Sequence, residues 1–556
     1  RIKLKAKEVW LKWEAGDLTK MMESAKTLAT SIDMDFLWEC SPDQEFSTDT
    51  IAKEYFGDKV STEQLIGLAI ALQNAPIYFR RKGRGHFLRA PEEQLKAALL
   101  SVERKKQEAI AQETMKEQLL SGILPPEISE QAQMLLFAPD KNHYIYKALA
   151  SASAQKGISN AQLLLELGAI HSALEIHQGK FLKEYFPKGP QFSSDAVLSE
   201  DLWQKIAKDL PLATAIAFSI DDAATTEIDD AFSVTPLDNG KYQIGIHIAV
   251  PGLAIVPGDS LDQVAQKRMS TVYFPGGKIT MLPQSVIEIF SLNEHAARPT
   301  ISLYVTLFED GRVDADIAPT TVLEKIHIAD NLRLGDIEHL VNEISIEDPT
   351  RGDIAYRNEL NVLWRAAKQL HSQRQKVRIE HGQREEKLGL PEPGSLPRDF
   401  HFEIKTTNEQ LLTAETLLKS PIHDQDWIPV ISSRQRGSVI DSIVAEWMIF
   451  SNQTWGSILA AHDLPAIYRA QQGWGAQRTR MQTTPCRHEG LGVENYAWCT
   501  SPLRRYADLV NQWQLIAYVQ KGVMAKLAAP FAPKDTKIMG LCAEFDATYT
   551  AYNRSE

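Results

Sequence analysis

The sequence predicts an α+β multidomain protein with an N-terminal winged-helix-like domain, a helical connector and a large mixed α/β domain. Three observations lead to this class. The chain has 556 residues, of which 44% are hydrophobic, enough for several domains with separate cores. Helical and strand-like hydrophobic patterns alternate in long blocks. Turn signals are frequent in the block that begins near residue 195.

The first two parts precede residue 195. Residues 1–18 are predicted to be the remnant of a small β-barrel domain, because apolar residues alternate there with polar ones. Residues 19–95 are predicted to be a winged-helix-like nucleic-acid-binding domain, since helical patterning is followed by two strand-like runs. Residues 96–194 are predicted to be a helical connector, and we interpret its charged stretch "EEQLKAALLSVERKKQEAIAQETMKEQLL" as a solvated face.

A basic turn joins the two strand-like runs of the N-terminal domain. In "YFRRKGRGHFLR", cationic side chains interleave with Tyr78, Phe79 and Phe87, a pattern that suits a phosphate backbone with bases to stack on. The alternative is a solvated turn in a domain that acts as a structural spacer. The candidate nucleic-acid-binding residues of this turn are Arg80, Arg81, Lys82 and Arg84.

The third part, residues 195–556, combines strands with helices. "AFSVTPL" and "KYQIGIHIAV" flank Asp-Asn-Gly at 238–240, which predicts a hairpin. "ISLYVTLFE" and "RVDADIA" flank Asp-Gly at 310–311, which predicts a second one. Helices return after about residue 350, notably over 437–460 and from "TSPLRRYADLVNQW" onward.

An acidic cluster, "IDDAATTEIDD", follows the predicted buried strand "TAIAFSI". Carboxylates crowded at a buried edge repel one another, so the protein must protonate some of them or neutralise them with a cation. Oxygen ligands of this kind favour Mg²⁺ or Mn²⁺, and the spacing does not fit a calcium EF-hand loop. The alternative is an exposed acidic loop without a site. The acidic residues are Asp221, Asp222, Glu227, Asp229 and Asp230.

Two adjacent arginines in "CTSPLRRYADL" are candidates for the opposite side of such a site. Ser501 is predicted to be a helix N-cap with Pro502 in the first turn, which would direct the helix N-terminus and Arg504 and Arg505 to one place. Arginine suits this role because its fork matches phosphate oxygens. Taken alone, two arginines near a helix start more often form ion pairs with acidic residues at the surface. With the acidic cluster it forms a candidate phosphate clamp.

Five segments in this order resemble the ribonuclease II family of 3′ to 5′ exoribonucleases, over about residues 195–556. They are "SIDDAATTEIDDAF", "HIAVPGLAIVPGDSLDQVA", "STVYFPGGKITMLPQSV", "IVAEWMIFSN" and "HEGLGVENYAWCTSPLRRYADLVN". The resemblance implies an RNB-type catalytic domain. It also implies a single-stranded RNA substrate, threaded 3′ end first and hydrolysed processively to nucleoside 5′-monophosphates and a short oligonucleotide.

The resemblance also assigns roles to residues of the acidic cluster and the arginine segment. Asp221, Glu227 and Asp230 would hold Mg²⁺, with Mn²⁺ as the other candidate, and Asp229 would complete the metal site or orient the water as the carboxylate most critical to turnover. Arg504 would bind the phosphate as charge builds, assisted by Arg505.

Three further residues lie in motifs that match the family, and each also has a simpler structural interpretation. Tyr273 in "TVYFPG" matches the family's aromatic that stacks on a base, although a tyrosine in this setting is more often ordinary core. His488 and Glu446 match as well, and both are equally consistent with satisfied buried polar groups.

Departures from the family pattern motivate a second hypothesis, a catalytically weakened RNB-like RNA-binding protein. Glu227 stands where the family usually has Asp, a side chain longer by about 1.5 Å. Val250 and Ala445 replace acidic residues. The family's N-terminal cold-shock barrels are not visible, and an S1 barrel would lie beyond residue 556. A third hypothesis, a winged-helix DNA-binding regulator, rests on residues 20–95 alone.

Composition sets the remaining expectations. The net charge of −12 argues against a protein coated in positive charge but allows a basic groove. Four cysteines lie far apart without a CxxC pair, which favours a reducing, cytoplasmic setting. No apolar run approaches the length of a membrane span. From these features we expect a cytoplasmic protein that does not bind a membrane. The resemblance implies single-stranded RNA as its partner, and we expect a monomer.

Overall fold

The computed structural model describes most of the chain in two compact units, Arg1–Ile170 and His171–Glu556. Of the predicted N-terminal remnant, residues 1–18, only Asp17 and Leu18 are among the described residues, and Leu18 begins the first helix. The candidate residue Arg84 also lies outside the described residues. The described ranges are 17–83, 85–222, 225–274, 277–382, 398–406, 427–435, 437–472 and 479–555.

The first unit consists of helices and a small antiparallel sheet in the order β1-β3-β2. Helix starts follow local sequence: Ser61 and Gln64 form a reciprocal capping box, for example. The elements are α1 (Leu18–Ser31), α2 (Met34–Cys40), β1 (Phe46–Ser47), α3 (Thr48–Phe56), α4 (Thr62–Asn74), β2 (Phe79–Arg81), β3 (His86–Arg89), α5 (Glu92–Leu120), α6 (Pro126–Glu130), α7 (Ala132–Phe137), α8 (Tyr144–Lys156) and α9 (Asn160–Glu166).

The aromatic residues of the basic turn belong to the core of this unit. Phe79 and Phe87 are buried among Leu37, Ile51 and Leu68. On β2 Phe79 is buried and the next two residues, Arg80 and Arg81, are exposed, and on β3 Phe87 is buried beside the exposed His86. The prediction that Phe79 and Phe87 offer stacking surfaces to bases is therefore wrong, although both predicted strand runs are present.

The second unit is built around a closed barrel. Its elements are α10 (Ala173–Tyr185), α11 (Glu200–Asp209), β4 (Leu212–Asp221), β5 (Asp230–Pro236), β6 (Tyr242–Ala249), α12 (Ser260–Arg268), β7 (Val272–Phe274), β8 (Gly277–Ile279), α13 (Gln284–Phe290), β9 (Ala296–Leu307), β10 (Thr320–Arg333), α14 (Leu334–Ile337), α15 (Arg357–Glu380), β11 (Arg398–Thr406), β12 (Trp427–Gln435), α16 (Val439–Ala461), β13 (Tyr468–Ala470), β14 (Arg480–Gln482), β15 (Arg487–His488), β16 (Val493–Glu494), α17 (Tyr506–Lys521), α18 (Ala525–Ala528) and α19 (Thr536–Ser555).

The barrel runs β10-β4-β5-β6-β9 and closes on itself. Only the β10–β4 pair is parallel; the other pairs are antiparallel. Consecutive residues of β6 from Ile244 to Ala249 are buried, so both faces of this strand are covered. The predicted hairpin at 238–240 joins β5 to β6, with Asn239 and Gly240 at positive φ as such a tight turn requires.

The second predicted hairpin, at Asp310–Gly311, forms, but its second arm is short. Strand β9 ends at Leu307, and "RVDADIA" pairs back through an antiparallel bridge from Val313 to Leu307 and a hydrogen bond from the Asp314 N–H to the Thr306 carbonyl at 2.9 Å. The arm ends there because the Asp314 carboxylate accepts hydrogen bonds from the Asp316 N–H and from Lys241 Nζ and turns the chain away. The next strand, β10, begins at Thr320.

Long helices pack beside the barrel around large buried rings. The helix predicted over 437–460 is α16, whose Trp447 and Trp455 donate indole hydrogen bonds to the Leu363 carbonyl and to Thr321. All four cysteines are free. Among the described residues, no helix combines the length and apolar character that a membrane crossing requires.

Candidate active site

The acidic cluster lies in the connection between two barrel strands. Asp221 is the last residue of β4 and Asp230 the first of β5, and these strands are antiparallel neighbours. Their adjacent ends therefore hold both carboxylates at one end of the barrel. Glu227 and Asp229 in the connection are each only 3% exposed. The prediction of an acidic loop that follows a buried strand agrees with the structure, and the loop is largely buried.

Asp229 joins the acidic loop to the arginine segment. Its Oδ1 accepts a hydrogen bond from the Leu503 N–H at 2.9 Å, and its Oδ2 accepts one from Arg504 Nε at 3.2 Å. Burial raises the pKa of Asp229 to about 7, although the Arg504 charge and the Leu503 N–H oppose the shift. Two segments that lie far apart in the sequence thus meet at this carboxylate.

Asp230 and Asp221 are held with fewer compensating partners. Burial, followed by the charges of Asp221 and Asp229, raises the pKa of Asp230 to about 8, and its Oδ2 is buried without a hydrogen-bond partner. Asp221 accepts a hydrogen bond from Ser219 Oγ, yet burial still raises its pKa to about 6. These carboxylates therefore have a strong tendency to acquire a proton or a cation.

Glu227 is neutralised within the protein itself. Its Oε2 forms an ion pair with Lys278 Nζ, and its Oε1 accepts a hydrogen bond from Thr271 Oγ1 at 3.1 Å. Lys278 Nζ also donates to Thr226 Oγ1 at 2.7 Å. Both carboxylate oxygens of Glu227 thus have partners, whereas Oδ2 of Asp230 has none.

The donor set fits a hard divalent cation by its chemistry. The repelling carboxylates of Asp221, Asp229 and Asp230 and the orphaned oxygen of Asp230 are what such an ion would satisfy. In the described part of the chain, no group of three or more His, Cys, Asp or Glu side chains is arranged to hold a metal ion as it stands. The side chains would have to converge further on an ion.

Main-chain pairing fixes the arginine segment beside the loop. The Thr271 N–H donates to the Arg504 carbonyl at 2.9 Å, and the Tyr506 N–H donates to the Met269 carbonyl at 2.8 Å. The Arg504 side chain remains 40% exposed and also donates from Nη2 to Ser501 Oγ. One guanidinium edge thus touches Asp229 while part of the group stays accessible.

The helix that follows begins later than predicted. Ser501 is not its N-cap; α17 begins at Tyr506. Asp508 in the first turn accepts hydrogen bonds from the Ser501 N–H and from Arg505 Nη2. These bonds hold residues 501–505 in a turn ahead of the helix, so the helix starts after the arginines.

Arg505 is more enclosed than Arg504. Its side chain is 12% exposed, pairs with Asp508 and lies over the Trp498 ring, 4.0 Å from its centroid. Its charge still lowers the pKa of Asp230, after the larger effect of Arg504. The structure therefore places Arg505 behind the site, where it stabilises the segment that carries Arg504.

Tyr273 is not a core residue. It is 39% exposed on β7, which forms a hairpin with β8, and its cross-strand partner is Lys278. The chain just before β7 is tied to the arginine segment, because the Thr271 N–H donates to the Arg504 carbonyl at 2.9 Å. The simpler interpretation of Tyr273 as core is thus excluded.

The other two motif residues are satisfied buried groups. Glu446 accepts hydrogen bonds from Arg374 Nε and His371 Nδ1, each at 2.9 Å. Burial alone would raise the pKa of Glu446, but these bonds bring it below its usual value. His488 accepts from the Leu491 N–H, and burial lowers its pKa to about 4. Neither is joined to the acidic loop by these bonds.

In the first unit, the basic turn is solvent-exposed. Arg80 and Arg81 lie on β2, and Lys82 follows them. Arg80 Nη2 donates to Gln94 and Arg81 Nε to the Gly83 carbonyl, which leaves further N–H groups of both guanidinium groups available.

Sequence reasoning missed the residues that hold the acidic side chains. Lys278 and Thr271 bind Glu227, and Asp508 orders the arginine turn. Lys278 and Thr271 lie within "STVYFPGGKITMLPQSV", but neither residue type carries a signal of its own.

Comparison with known proteins places the site in context. The RNB domain family model matches residues 210–479 and 475–521, which include the acidic loop and the arginine segment. An uncharacterized ribonuclease of Synechocystis is 25% identical over 502 residues, 83% of this chain and 68% of that protein. Exoribonuclease 2 of Cronobacter sakazakii is 28% identical over 362 residues, 60% of this chain and 54% of that protein.

The fold is similar to that of a solved structure over nearly the whole chain. The crystal structure of an active-site mutant of the Dss1 exoribonuclease from Candida glabrata superposes with a TM-score of 0.59 at 15% identity. The match covers 97% of this chain and 79% of that one. At this identity the similarity concerns the fold alone. The chain spans about half of the length of several curated relatives named Exoribonuclease 2.

Proposed function

Because this chain belongs to the RNB-domain family, we propose that it is a metal-dependent exoribonuclease that hydrolyses single-stranded RNA. The degradation would run processively from the 3′ end and yield nucleoside 5′-monophosphates. Relatives named as exoribonucleases support hydrolysis of RNA as the reaction class. We further propose that the enzyme is a monomer and works in the cytoplasm.

The contact of Asp229 with Leu503 and Arg504 carries this proposal. It places an accessible guanidinium beside buried carboxylates, so a phosphodiester could meet the cation on one side and the acids on the other. Arg504 would bind the phosphate oxygens as negative charge develops. Tyr273 is exposed two residues after Thr271, whose N–H donates to the Arg504 carbonyl, and it would stack on a base and position the 3′ end.

Mg²⁺ or Mn²⁺ is proposed as the cofactor. Asp221, Asp229 and Asp230 would hold it, and Glu227 is the fourth carboxylate of the sequence pattern. When bound, such an ion polarises the scissile phosphate and lowers the pKa of the attacking water. Asp229 would keep Arg504 oriented toward the phosphate, because its Oδ2 fixes Arg504 Nε.

The first unit is proposed to contribute RNA affinity as a winged-helix-like domain. Its exposed cations Arg80, Arg81 and Lys82, with Arg84 between them and β3, would contact the phosphate backbone. Because Phe79 and Phe87, which flank these cations in the sequence, are buried, the contact would be electrostatic and independent of base sequence.

One observation favours the second candidate function, a catalytically weakened RNA-binding protein. Glu227, already a departure from the family pattern, forms an ion pair with Lys278, so its carboxylate is not free to bind a metal ion together with the other acids. If that pair keeps the site from assembling, the protein would bind RNA without cleaving it.

A time course on a 5′-labelled single-stranded RNA distinguishes the two candidates. We expect one short labelled end product with Mg²⁺ and none with EDTA, and no cleavage of DNA of the same sequence. Asp229→Asn should abolish cleavage and leave RNA binding nearly unchanged. The Asp229 carboxylate accepts one hydrogen bond at each oxygen, from the Leu503 N–H and from Arg504 Nε. An asparagine has an NH₂ group in place of one of these oxygens, so one of the two hydrogen bonds would be lost. Asp222→Asn, at an exposed acid of the same cluster, is the matched control and should remain active.

Intact RNA with every metal, together with retained binding, would establish the weakened RNA-binding protein instead. Equal cleavage by Asp229→Asn and the parent would remove Asp229 from the mechanism.

A further inference from the structure

In the Glu227–Lys278 ion pair, one carboxylate of the acidic cluster is neutralised by a lysine. Glu227 is 3% exposed, and the Lys278 side chain is 21% exposed, so water screens their attraction only partly. Thr271 Oγ1 occupies the other carboxylate oxygen of Glu227. Glu227 therefore already has the neutralising charge that a metal ion would otherwise supply.

Lys278 is positioned rather than free to swing. Thr226 Oγ1 accepts a second hydrogen bond from its ammonium at 2.7 Å. Its main chain lies in β8, paired with β7 through Tyr273. The Thr271 hydroxyl that binds Glu227 is itself fixed by the Met281 N–H at 3.0 Å. Groups from the acidic loop and from the hairpin together hold the Glu227 carboxylate toward Lys278.

Asp230 presents the opposite situation. Its Oδ2 is buried without a partner, although Asp221 and Asp229 are close enough for their charges to act on it. A cation that enters the cluster gains most at this oxygen and least at Glu227, because Glu227 would first have to give up Lys278. The extra methylene of Glu227, compared with an aspartate, gives its carboxylate the reach to be held apart in this way.

We propose that Lys278 is a built-in counter-ion that withholds Glu227 from the metal ligands, so that the site takes a divalent cation through its other carboxylates, Asp230 foremost. The inference rests on the metal dependence of the proposed function. Lys278 is then a positioning residue, and it sets how tightly the site holds its cation.

The experiment measures Mn²⁺ binding to the full chain without RNA, by electron paramagnetic resonance of free Mn²⁺. Lys278→Met releases Glu227 and should tighten the dissociation constant by about tenfold or more, since a neighbouring opposite charge changes the affinity of a carboxylate for a proton by at least that factor. Lys278→Arg keeps the charge and should restore the parental value. Lys241→Met removes a lysine that pairs with another buried carboxylate, Asp314, and should leave Mn²⁺ binding unchanged.

A double variant, Lys278→Met with Glu227→Gln, removes both members of the pair with no change in net charge. It leaves neither member of the pair as an unpaired buried charge, so it is expected to fold even where Lys278→Met does not. If Glu227 is withheld from the ion, the double variant should bind Mn²⁺ with the parental affinity. A clear loss of affinity would show that Glu227 is a ligand and overturn the inference.

Unchanged affinity in Lys278→Met would overturn it as well. Asp230→Asn separates this failure from a failure of the proposed function. Loss of Mn²⁺ binding in Asp230→Asn, with no effect of Lys278→Met, would keep the metal site and reject only the role of Lys278. Absence of Mn²⁺ binding in the parent would reject both.

Discussion

Asp230 places a carboxylate oxygen in a buried position with no hydrogen-bond partner, near Asp221 and Asp229. A buried carboxylate without a partner destabilises the fold unless it acquires a proton or a cation. Natural sites retain such strain where function needs it. Asp230 is therefore the residue at which stability and activity are expected to conflict most directly.

We predict that Asp230→Asn stabilises the protein in EDTA and inactivates it. The amide removes the repulsion from Asp221 and Asp229 while it keeps the shape of the side chain, and the melting temperature should rise by about 2–4 °C. Mg²⁺ should raise the melting temperature of the parent but not of the variant. Differential scanning calorimetry with and without Mg²⁺ measures both effects.

Asp314→Asn is the control for this substitution. Asp314 is also buried but has Lys241 as its partner, so loss of its carboxylate should lower the melting temperature or leave it unchanged. A lower melting temperature for Asp230→Asn in EDTA would mean that the Asp230 carboxylate contributes a favourable interaction, and would contradict the prediction.

At the scale of single residues, the sequence predicted the carboxylates of the candidate site better than the residues that bind them. The spacing of Asp221, Glu227, Asp229 and Asp230, with the family resemblance, selected carboxylates that the structure gathers at one end of the barrel. Lys278 could not be predicted, because its contact with Glu227 spans 51 residues of sequence and depends on the register of a short hairpin. Local patterns contain no information on such a tertiary pair.

Among the elements, α16 supports the arginine segment through a close approach at Gly456. A Cβ atom at this position would lie 1.9 Å from the Asn495 carbonyl oxygen. Asn452 of the same helix accepts a hydrogen bond from the Cys499 N–H, shortly before the turn that carries Arg504. The helix therefore fixes the chain that leads into the candidate site.

We predict that Gly456→Ala destabilises the protein by about 1–3 kcal/mol and also lowers activity, because the helix must move away from Asn495. Gly540→Ala in α19 is the matched control. A methyl group at residue 540 would have no described atom within 4 Å beyond its own stretch of helix, so the substitution should be neutral or stabilise by about 0.5–1 kcal/mol. Urea unfolding followed by tryptophan fluorescence gives both values, and equal stability of the two variants would contradict the close contact.

The barrel contains a neutral histidine that makes its stability depend on pH. His247 is fully buried between Ser302 and Ser233, and burial lowers its pKa to about 3. The unfolded chain protonates this residue near pH 6.5, whereas the folded chain does not until far lower pH. The stability it confers is therefore present above about pH 6.5 and is lost as the pH falls toward 3.

We predict that His247 contributes a fall in unfolding free energy of about 1.4 kcal/mol per pH unit between pH 6 and 4. His247→Gln should remove this contribution and flatten the curve relative to the parent. Urea unfolding at several pH values measures the slope, with His339→Gln at an exposed position as the control. An unchanged slope in His247→Gln would contradict the burial of a neutral ring.

Elements with strong local signals could be predicted from the sequence, and those set by tertiary bonds could not. The hairpin at 238–240 and the helix over 437–460 follow from turn chemistry and periodicity. The predicted start of α17 was wrong because the Asp508 side chain keeps Ser501 and Arg505 in a turn. The hairpin at 310–311 is present, but its second arm is shorter than predicted for a similar reason, the ion pair of Asp314 with Lys241.

For the whole molecule, the acidic net charge makes the location of exposed cations decisive for RNA binding. The net charge is −12, so any cationic surface must be local. The basic turn of the first unit exposes Arg80, Arg81 and Lys82. Helix α5 exposes a second set of cations, Arg104, Lys105 and Lys106, in the stretch interpreted above as a solvated face.

We predict that replacing Arg80, Arg81 and Lys82 by alanine weakens binding to all single-stranded RNAs alike. The slope of log affinity against log salt concentration should decrease by roughly 2, as expected for three lost phosphate contacts on a single strand. Replacing Arg104, Lys105 and Lys106 removes the same charge and should change the slope much less. Fluorescence anisotropy at several salt concentrations distinguishes the two. If both triple substitutions changed the salt slope equally, the turn would contribute only its charge and would not be a specific RNA contact.

The contact between Asp229 and Arg504 also determines when the candidate site comes into existence. The two residues are 275 positions apart in sequence. A ribosome needs roughly 15 to 55 s to synthesise that length of chain. During this interval the acidic loop has already emerged, but neither the Leu503 N–H nor the guanidinium that binds Asp229 has been made. On the proposed function, the nascent chain therefore acquires a complete candidate site only after the arginine segment has been synthesised.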